Sequence, residues 1–214
     1  MTSSIYLKQV ELGPMANYVY FVGDPNTREV AVVDPAWDVE RIVELAQEND
    51  LTITKILITH SHFDHINGVE DLLNRTKAIV YINKLEAEFM KAVWPDLVKV
   101  ESGDTTRVGG VDIAFLHTPG HTPGSQCFLV DDRLVSGDTL FIGACGRVDL
   151  PGGDPEQMYD SLTQKLMALP DDTILFPGHN YSDHSTSTIR EEKRTNPYLQ
   201  FHSLKQFLGS MGYR

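Results

Sequence analysis

Two cysteines, Cys127 and Cys145, are all that this 214-residue chain carries, and no C-x-x-C pair occurs. A disulfide framework is therefore excluded, and both thiols are expected to be reduced and buried. Basic residues are scarce as well: 18 Lys and Arg stand against 30 Asp and Glu, for a net charge of -12. Such a surface excludes nucleic acid as a partner, because phosphate binding rests on Lys and Arg, and it repels anionic membranes. Small anions stay possible, since a bound metal can reverse the local potential. No apolar run approaches the roughly 20 residues that cross a bilayer. The segment Met1 to Leu12 also lacks a basic stretch followed by an apolar one, so no membrane partner and a cytoplasmic location are expected. No serine sits in a G-x-S-x-G context, which removes the usual signature of a serine nucleophile. Neither an internal repeat nor a Ser/Gly-rich linker divides the chain, so residues 1–214 are read as one domain with a short helical C-terminal extension from about 184.

What is present is an ordinary globular composition, 41% hydrophobic and 22% charged, arranged as short β-rich runs alternating with helical patterns. Strands are expected over Ile5–Leu12, Asn17–Val22, Glu29–Val33, Ile53–Thr59 and Ala78–Ile82, and later over Asp112–His117, Gln126–Val130, Arg133–Ser136 and Thr173–Phe176. Asp38–Asn49 reads as a helix with Val39, Ile42, Val43 and Ala46 on one face. Further helices are expected at His65–Asn74, Leu85–Ala92, Pro155–Leu169, His184–Arg194 and Leu199–Met211. Gly109-Gly110 and Asp131-Asp132 read as hairpin turns. Strict βαβ alternation is missing, which favours sheet packed on sheet with helices outside over a doubly wound parallel sheet.

Chemistry concentrates just after the strands. Ile56-Leu57-Ile58 runs into Thr59-His60-Ser61-His62-Phe63-Asp64-His65. In extended backbone His60 and His62 project to one side and can meet one metal, while Asp64 and His65 lie where the chain turns into a helix and can point at a second. Three other pieces repeat the order strand, glycine turn, ligand: Thr118-Pro119-Gly120-His121, Ser136-Gly137-Asp138 and Pro177-Gly178-His179. Glycine before the ligand allows unusual dihedrals and close backbone approach. His117, His184 and His202 stand outside these motifs, the last two on helical patterns, and are read as ordinary residues, His184 and His202 at the surface.

In order and spacing, T-H-x-H-x-D-H, T-P-G-H-T, S-G-D-T and P-G-H resemble the metallo-β-lactamase superfamily, over Asn17 to about Pro197. The resemblance implies an α+β fold, an αββα sandwich of two mixed sheets flanked by helices, with metals at one edge. It implies a first metal on His60, His62 and His121, a second on Asp64, His65 and His179, and Asp138 bridging both. Asp64 and Asp138 are then the catalytic carboxylates, and Asp34 in Val32-Val33-Asp34-Pro35 supports the ligands from behind. Two divalent cations are expected, zinc first, with iron or manganese as alternatives, because a His/Asp shell without thiolate suits all three. Two such cations about 3.5–4 Å apart share a water and make hydroxide available near neutral pH.

Within the superfamily the chain looks like the glyoxalase II (hydroxyacylglutathione hydrolase) branch, through Gly137–Phe141, Cys145-Gly146-Arg147, Gly153–Met158 and Gly178-His179-Asn180-Tyr181. That likeness implies a thioesterase acting on hydroxyacyl-glutathione or a related acyl-thiol, with Arg147 and Tyr181 holding the substrate. One departure stands out. Glyoxalase II proper carries a longer helical C-terminal region whose basic residues grip the substrate, whereas Arg190, Lys193 and Arg194 here read as a solvated helix face. Persulfide dioxygenases resemble the chain too: they also carry the full motif while using one iron on the positions of His60, His121 and Asp138, and their C-G-R-x-D matches Cys145–Asp149. Lactone or β-lactam hydrolysis is a further alternative at the same site. The sequence is silent on oligomeric state.

Overall fold

The computed structural model describes residues 5–213. The first half builds one six-stranded sheet from β1 (Tyr6–Leu12), β2 (Asn17–Gly23), β3 (Glu29–Val33), β4 (Thr52–Leu57), β5 (Ile79–Asn83) and β6 (Leu97–Val100), paired in that order. β1 to β3 form an antiparallel meander, and β3 to β6 run parallel. Parallel neighbours need crossovers, supplied by α1 (Val39–Glu48), α2 (Phe63–Ile66) with α3 (Val69–Arg75), and α4 (Lys84–Phe89).

The second half builds the other sheet. It contains β7 (Thr105–Val108), β8 (Val111–His117), β9 (Gln126–Val130) and β10 (Arg133–Gly137). A small hairpin, β11 (Leu140–Phe141) with β12 (Ala144–Cys145), follows, then α5 (Pro155–Asp160), β13 (Ile174–Pro177), β14 (Ser187–Thr188), α6 (Ile189–Thr195) and α7 (Leu204–Ser210). The sheet order is β14-β13-β10-β9-β8-β7.

Side-chain alternation makes the layers. On β2, Val19 and Phe21 pack with α1 and α3, while Tyr18, Tyr20 and Val22 face the second sheet. β3 divides the same way, Val30 and Val32 outward against helices, Ala31 and Val33 inward. From the opposite sheet Ile113, Phe115, Phe128, Val130 and Val135 complete the inner core, each burial stabilising by about 1.5–3 kcal/mol. Behind it, Cys127, Leu134 and Leu175 pack against Met158, Leu162, Leu166 and Phe207. Both sheets are thus covered on both faces, which is the αββα sandwich expected from the sequence.

Several boundaries differ from expectation. The helix read as His65–Asn74 is two helices, broken at Asn67-Gly68. Gly68 presses on the Pro35 carbonyl and Val39, where a Cβ would come within 2.7 Å. The long helix from Pro155 opens into a wider, π-helical stretch at Ser161–Leu166, where buried Ser161 Oγ donates to the Pro119 carbonyl, 2.7 Å away. The C-terminal extension is not helical from 184: Ser187 and Thr188 pair with β13, and α6 begins at Ile189, capped by the Thr188 hydroxyl. His184 and His202 therefore lie in irregular segments, exposed as expected but on no helix. The last expected helix is a 3₁₀ turn at Pro197–Leu199 followed by α7, which Ser203 caps. β6 and β7 escaped notice because they are four-residue strands, at the outer ends of their sheets, with half-exposed patterns. The Gly109-Gly110 and Asp131-Asp132 turns are hairpins, Gly109 and Asp131 taking the positive φ that such turns require. No helix among the described residues is long and apolar enough to cross a membrane.

Candidate metal centre

Strand direction explains the repeated order of strand, glycine turn and ligand. β9 runs antiparallel to both β8 and β10, and β10 runs parallel to β13. β8, β10 and β13 therefore point the same way, and their carboxyl ends deliver His121, Asp138 and His179 to one edge of the sandwich. β4 brings its own carboxyl end to that edge, since Gln126 N–H donates to the Thr59 carbonyl at 2.9 Å and Tyr18 N–H to that of Gly178 at 2.8 Å. Glycine is required at two of the turns. Gly120 adopts φ +135° against Met158, and Gly137 adopts φ +50° against Thr59, where a Cβ would come within 2.6 Å.

The seven residues singled out in the sequence converge. His60, His62 and His121 form one group and Asp64, His65 and His179 another, the ligand atoms of each lying within 4.8 Å of one another. Asp138 lies between them. Its Oδ2 is 3.9 Å from His60 Nε2, 3.5 Å from His121 Nε2 and 3.3 Å from His179 Nε2, and its Oδ1 is 3.4 Å from His65 Nε2. Asp64 Oδ2 is 3.5 Å from His65 Nε2 and 3.4 Å from His179 Nε2.

Hydrogen bonds behind the rings decide which nitrogen faces inward. His121 Nδ1 lies 2.7 Å from the Arg147 carbonyl and His179 Nδ1 2.9 Å from the Met15 carbonyl. A carbonyl only accepts, so both Nδ1 atoms carry hydrogen, and in the neutral ring each Nε2 presents a lone pair to the centre. Asp34 arranges the other two. It accepts from Thr59 Oγ1 at 2.5 Å, which turns that oxygen's lone pair to His60 Nδ1 at 3.0 Å, and it accepts from His65 Nδ1–H at 2.9 Å. Asp34, His60 and His65 could be grouped as a third ligand set, but Asp34 meets the far side of the His65 ring, so it supports rather than ligates. Asp34 holds φ +49° to do so.

Inward-facing lone pairs without hydrogen need a positive charge. His65 and His179 set Nε2 against Nε2 at 3.1 Å, and His60 Nε2, His121 Nε2 and Asp138 Oδ1 are buried with no hydrogen-bond partner among the described residues. These orphaned atoms fit divalent cations. In the metal-free protein burial holds His60 well below the usual imidazole range and lowers His62 to about 4. For His65 and His179 burial acts the same way, but the Asp138 carboxylate outweighs it and raises both, with Asp34 adding to the effect on His65. Asp138 itself is raised by burial and pulled well below the carboxylate range by His65, His179 and His60.

The centre opens into a cavity of about 520 Å³ lined by Met15, Phe63, Phe141, Leu150, Arg147 and Tyr181 among others. Tyr181 stacks on the His179 ring, with centroids 4.7 Å apart and planes 9° from parallel. Arg147 reaches the cavity wall, yet its guanidinium is engaged by Asp149 through two 2.7 Å contacts. Cys145 also lines the cavity, its thiol pushed up by burial to about 12, and Cys127 lies in the core at about 11. Arg190, Lys193 and Arg194 face outward onto Asp171, Asp172 and Glu191, so α6 offers the cavity no cation.

Four supporting side chains here were not foreseen. Asn17 Nδ2 donates to Asp64 Oδ2 at 2.9 Å, and Trp37 Nε1 donates to Asn17 Oδ1 at 2.8 Å. Buried Glu192 and Asn196 of the C-terminal segment pin the hairpin that carries Phe141 and Cys145: Glu192 accepts from Gly143 N–H at 2.9 Å, and Asn196 donates to the Ala144 carbonyl at 3.0 Å. The one sequence signal for Asn17 was its place as the first residue of an otherwise apolar strand, and nothing flagged Glu192.

The chain belongs to the metallo-beta-lactamase superfamily, whose family profile matches residues 12–179. Among its relatives is the hydroxyacylglutathione hydrolase GloC of Haemophilus influenzae, 32% identical over 80% of this chain and 88% of that protein. The human mitochondrial persulfide dioxygenase ETHE1 is 31% identical over 97% of this chain and 81% of its own length. The crystal structure of ETHE1 from Myxococcus xanthus superposes with a TM-score of 0.89 at 36% identity, covering 97% of this chain and 90% of that one.

Proposed function

We propose that the protein is a binuclear metal-dependent hydrolase of the glyoxalase II type, cleaving hydroxyacyl-glutathione or a related small acyl-thiol. The observation that carries this reading is the second ligand group, in which every member has its own hydrogen-bond partner: Asn17 for Asp64, Asp34 for His65 and the Met15 carbonyl for His179. A ligand set supported in this way is organised for a cation of its own. His60, His62 and His121 would hold one cation, Asp64, His65 and His179 the other, with Asp138 shared, zinc being the first expectation. Bound there, the cations would supply an acidified water and a Lewis acid for the thioester carbonyl.

The chain's own residues do the rest. Asp138 holds the two groups in register, and Asp64, on the cavity wall, is oriented by Asn17 to accept a proton from an entering water. Met15, Phe63 and Phe141 give the cavity an apolar wall for the acyl arm. Tyr181 and Arg147 bind the thiol portion; Arg147 leaves its exposed ion pair with Asp149 to do so, a pair that solvent screening keeps weak. A thiolate departs without protonation, so no general acid has to be found.

A second reading is favoured by the likeness to the persulfide dioxygenases: one iron on His60, His121 and Asp138, acting on glutathione persulfide. Metal analysis of the purified protein, run beside thioester hydrolysis and oxygen uptake on glutathione persulfide, separates the two. Two cations per chain with hydrolysis and no oxygen uptake are expected. One iron with oxygen uptake would replace the first reading by the second.

A further inference from the structure

Glu86 lies on α4, outside every motif described so far, and is fully buried. Its carboxylate is surrounded by four donors from two loops. Oε1 accepts from Ser61 N–H at 2.7 Å and Ser61 Oγ at 2.5 Å, while Oε2 accepts from Thr122 Oγ1 and Gly124 N–H, both at 2.8 Å. Ser61 is the residue between His60 and His62, and Thr122 directly follows His121. One carboxylate thus joins the two loops that present the whole first ligand group, one oxygen to each. The contact is close: a Cβ on Gly124 would fall 2.2 Å from the Glu86 backbone nitrogen. The Thr122 hydroxyl also lies 2.6 Å from Ser125 Oγ, and Ser125 Oγ accepts from Thr122 N–H at 3.0 Å, which fixes the loop around Glu86.

We infer that Glu86 is a positioning residue for the first metal group, setting the separation of His60 and His62 from His121 by clamping their loops at the backbone. The inference rests on the metal-centre reading and holds for one cation or two. Ligand spacing determines affinity, and partners behind a ligand shell are worth about 10–100-fold in metal binding. Among the described residues no other carboxylate hydrogen-bonds both loops, one oxygen to each, and an apolar residue of the same size would leave Ser61 N–H and Gly124 N–H buried without acceptors.

The test titrates metal-free wild type, Glu86→Gln and Thr122→Val with Co²⁺, reading the visible absorption of the bound ion and its dissociation constants. Glu86→Gln keeps the size but turns one accepting oxygen into a donor, so one loop is released. It should weaken one cation-binding step by about 10–100-fold and alter the Co²⁺ spectrum, leaving the other step unchanged. Thr122→Val removes one of the four donors and should move the same step less, in the same direction. Should Glu86→Gln fail to fold, Thr122→Val and Ser61→Ala decide the matter. Variants that melt earlier yet bind Co²⁺ with wild-type constants and spectrum would show that Glu86 serves stability alone, overturning the inference. Wild-type protein that takes up no Co²⁺ would overturn the metal reading along with it.

Discussion

In the second ligand group each side chain has a hydrogen-bond partner of its own, whereas in the first group His60 leans on Thr59, His121 on the Arg147 carbonyl, and His62 on nothing among the described residues. The first group is held instead at its loop backbones. Acidity differs too. Burial leaves His60 and His62 neutral, while Asp138 keeps His65 and His179 inclined to hold a proton in the metal-free protein. The contrast teaches that the two halves of one centre are organised by different means: the first by loop geometry and desolvation, the second by hydrogen-bonded charge.

The sharpest way to break this comparison is to remove what the halves share. Asp138→Ala should abolish turnover, by 10³-fold or more on the scale of about 1.4 kcal/mol per decade, and release metal from both groups. Metal content by elemental analysis together with a thioester assay checks this, and retention of both would misplace the centre.

Next in size is His65→Ala, which removes a second-group ligand alone. A binuclear hydrolase should lose one cation and several kcal/mol of transition-state stabilisation, a drop of orders of magnitude in kcat. A mononuclear iron enzyme would keep its iron and lose only part of its oxygen uptake.

Asn17→Ala sharpens the comparison without touching a ligand. With Asp64 unsupported, second-group affinity should weaken about 10–100-fold and first-group affinity should stay as it is. Calorimetric titration of metal-free protein resolves the two steps, and equal weakening of both would erase the distinction drawn between them.

The same titration run against pH tests the difference in acidity. His65 and His179 have raised pKa values, so their rings stay protonated until pH climbs through those values, and a cation loading there must displace the proton. Second-group affinity should therefore go on rising with pH above the ordinary imidazole value of 6.5. First-group affinity should change less, since His60 and His62 are already neutral well below pH 7, His62 titrating near 4. Proton release measured in buffers of different ionisation enthalpy reports this directly; equal release at both steps would contradict it.

The smallest effects lie outside both groups. Arg147→Ala and Tyr181→Ala should raise KM for a glutathione thioester several-fold, more than they lower kcat, as expected when binding shared by ground and transition states is lost. The His121 support survives the first change because it is the Arg147 backbone that accepts. Unchanged KM in both would remove glutathione recognition from the reading.

Local sequence determined the candidate ligands and the layers. T-H-x-H-x-D-H and the three glycine turns name side chains whose donor chemistry is independent of context, and apolar alternation on strands such as Asn17–Gly23 reports burial directly. Short-range pattern failed where the deciding contact is remote. Nothing within reach of Gly68 announces the Pro35 carbonyl that breaks a helix there, and four-residue strands such as Leu97–Val100 carry too few residues to show a period. Apart from Asp34, which the family resemblance named, the supports were decided by tertiary structure alone: Asn17 with Asp64, Glu86 between Ser61 and Thr122, Glu192 beneath Gly143. Each joins residues far apart in the chain, and a buried polar group takes whichever partner the packed layers bring within about 3 Å. Such pairings have no sequence period, because the folded layers choose them.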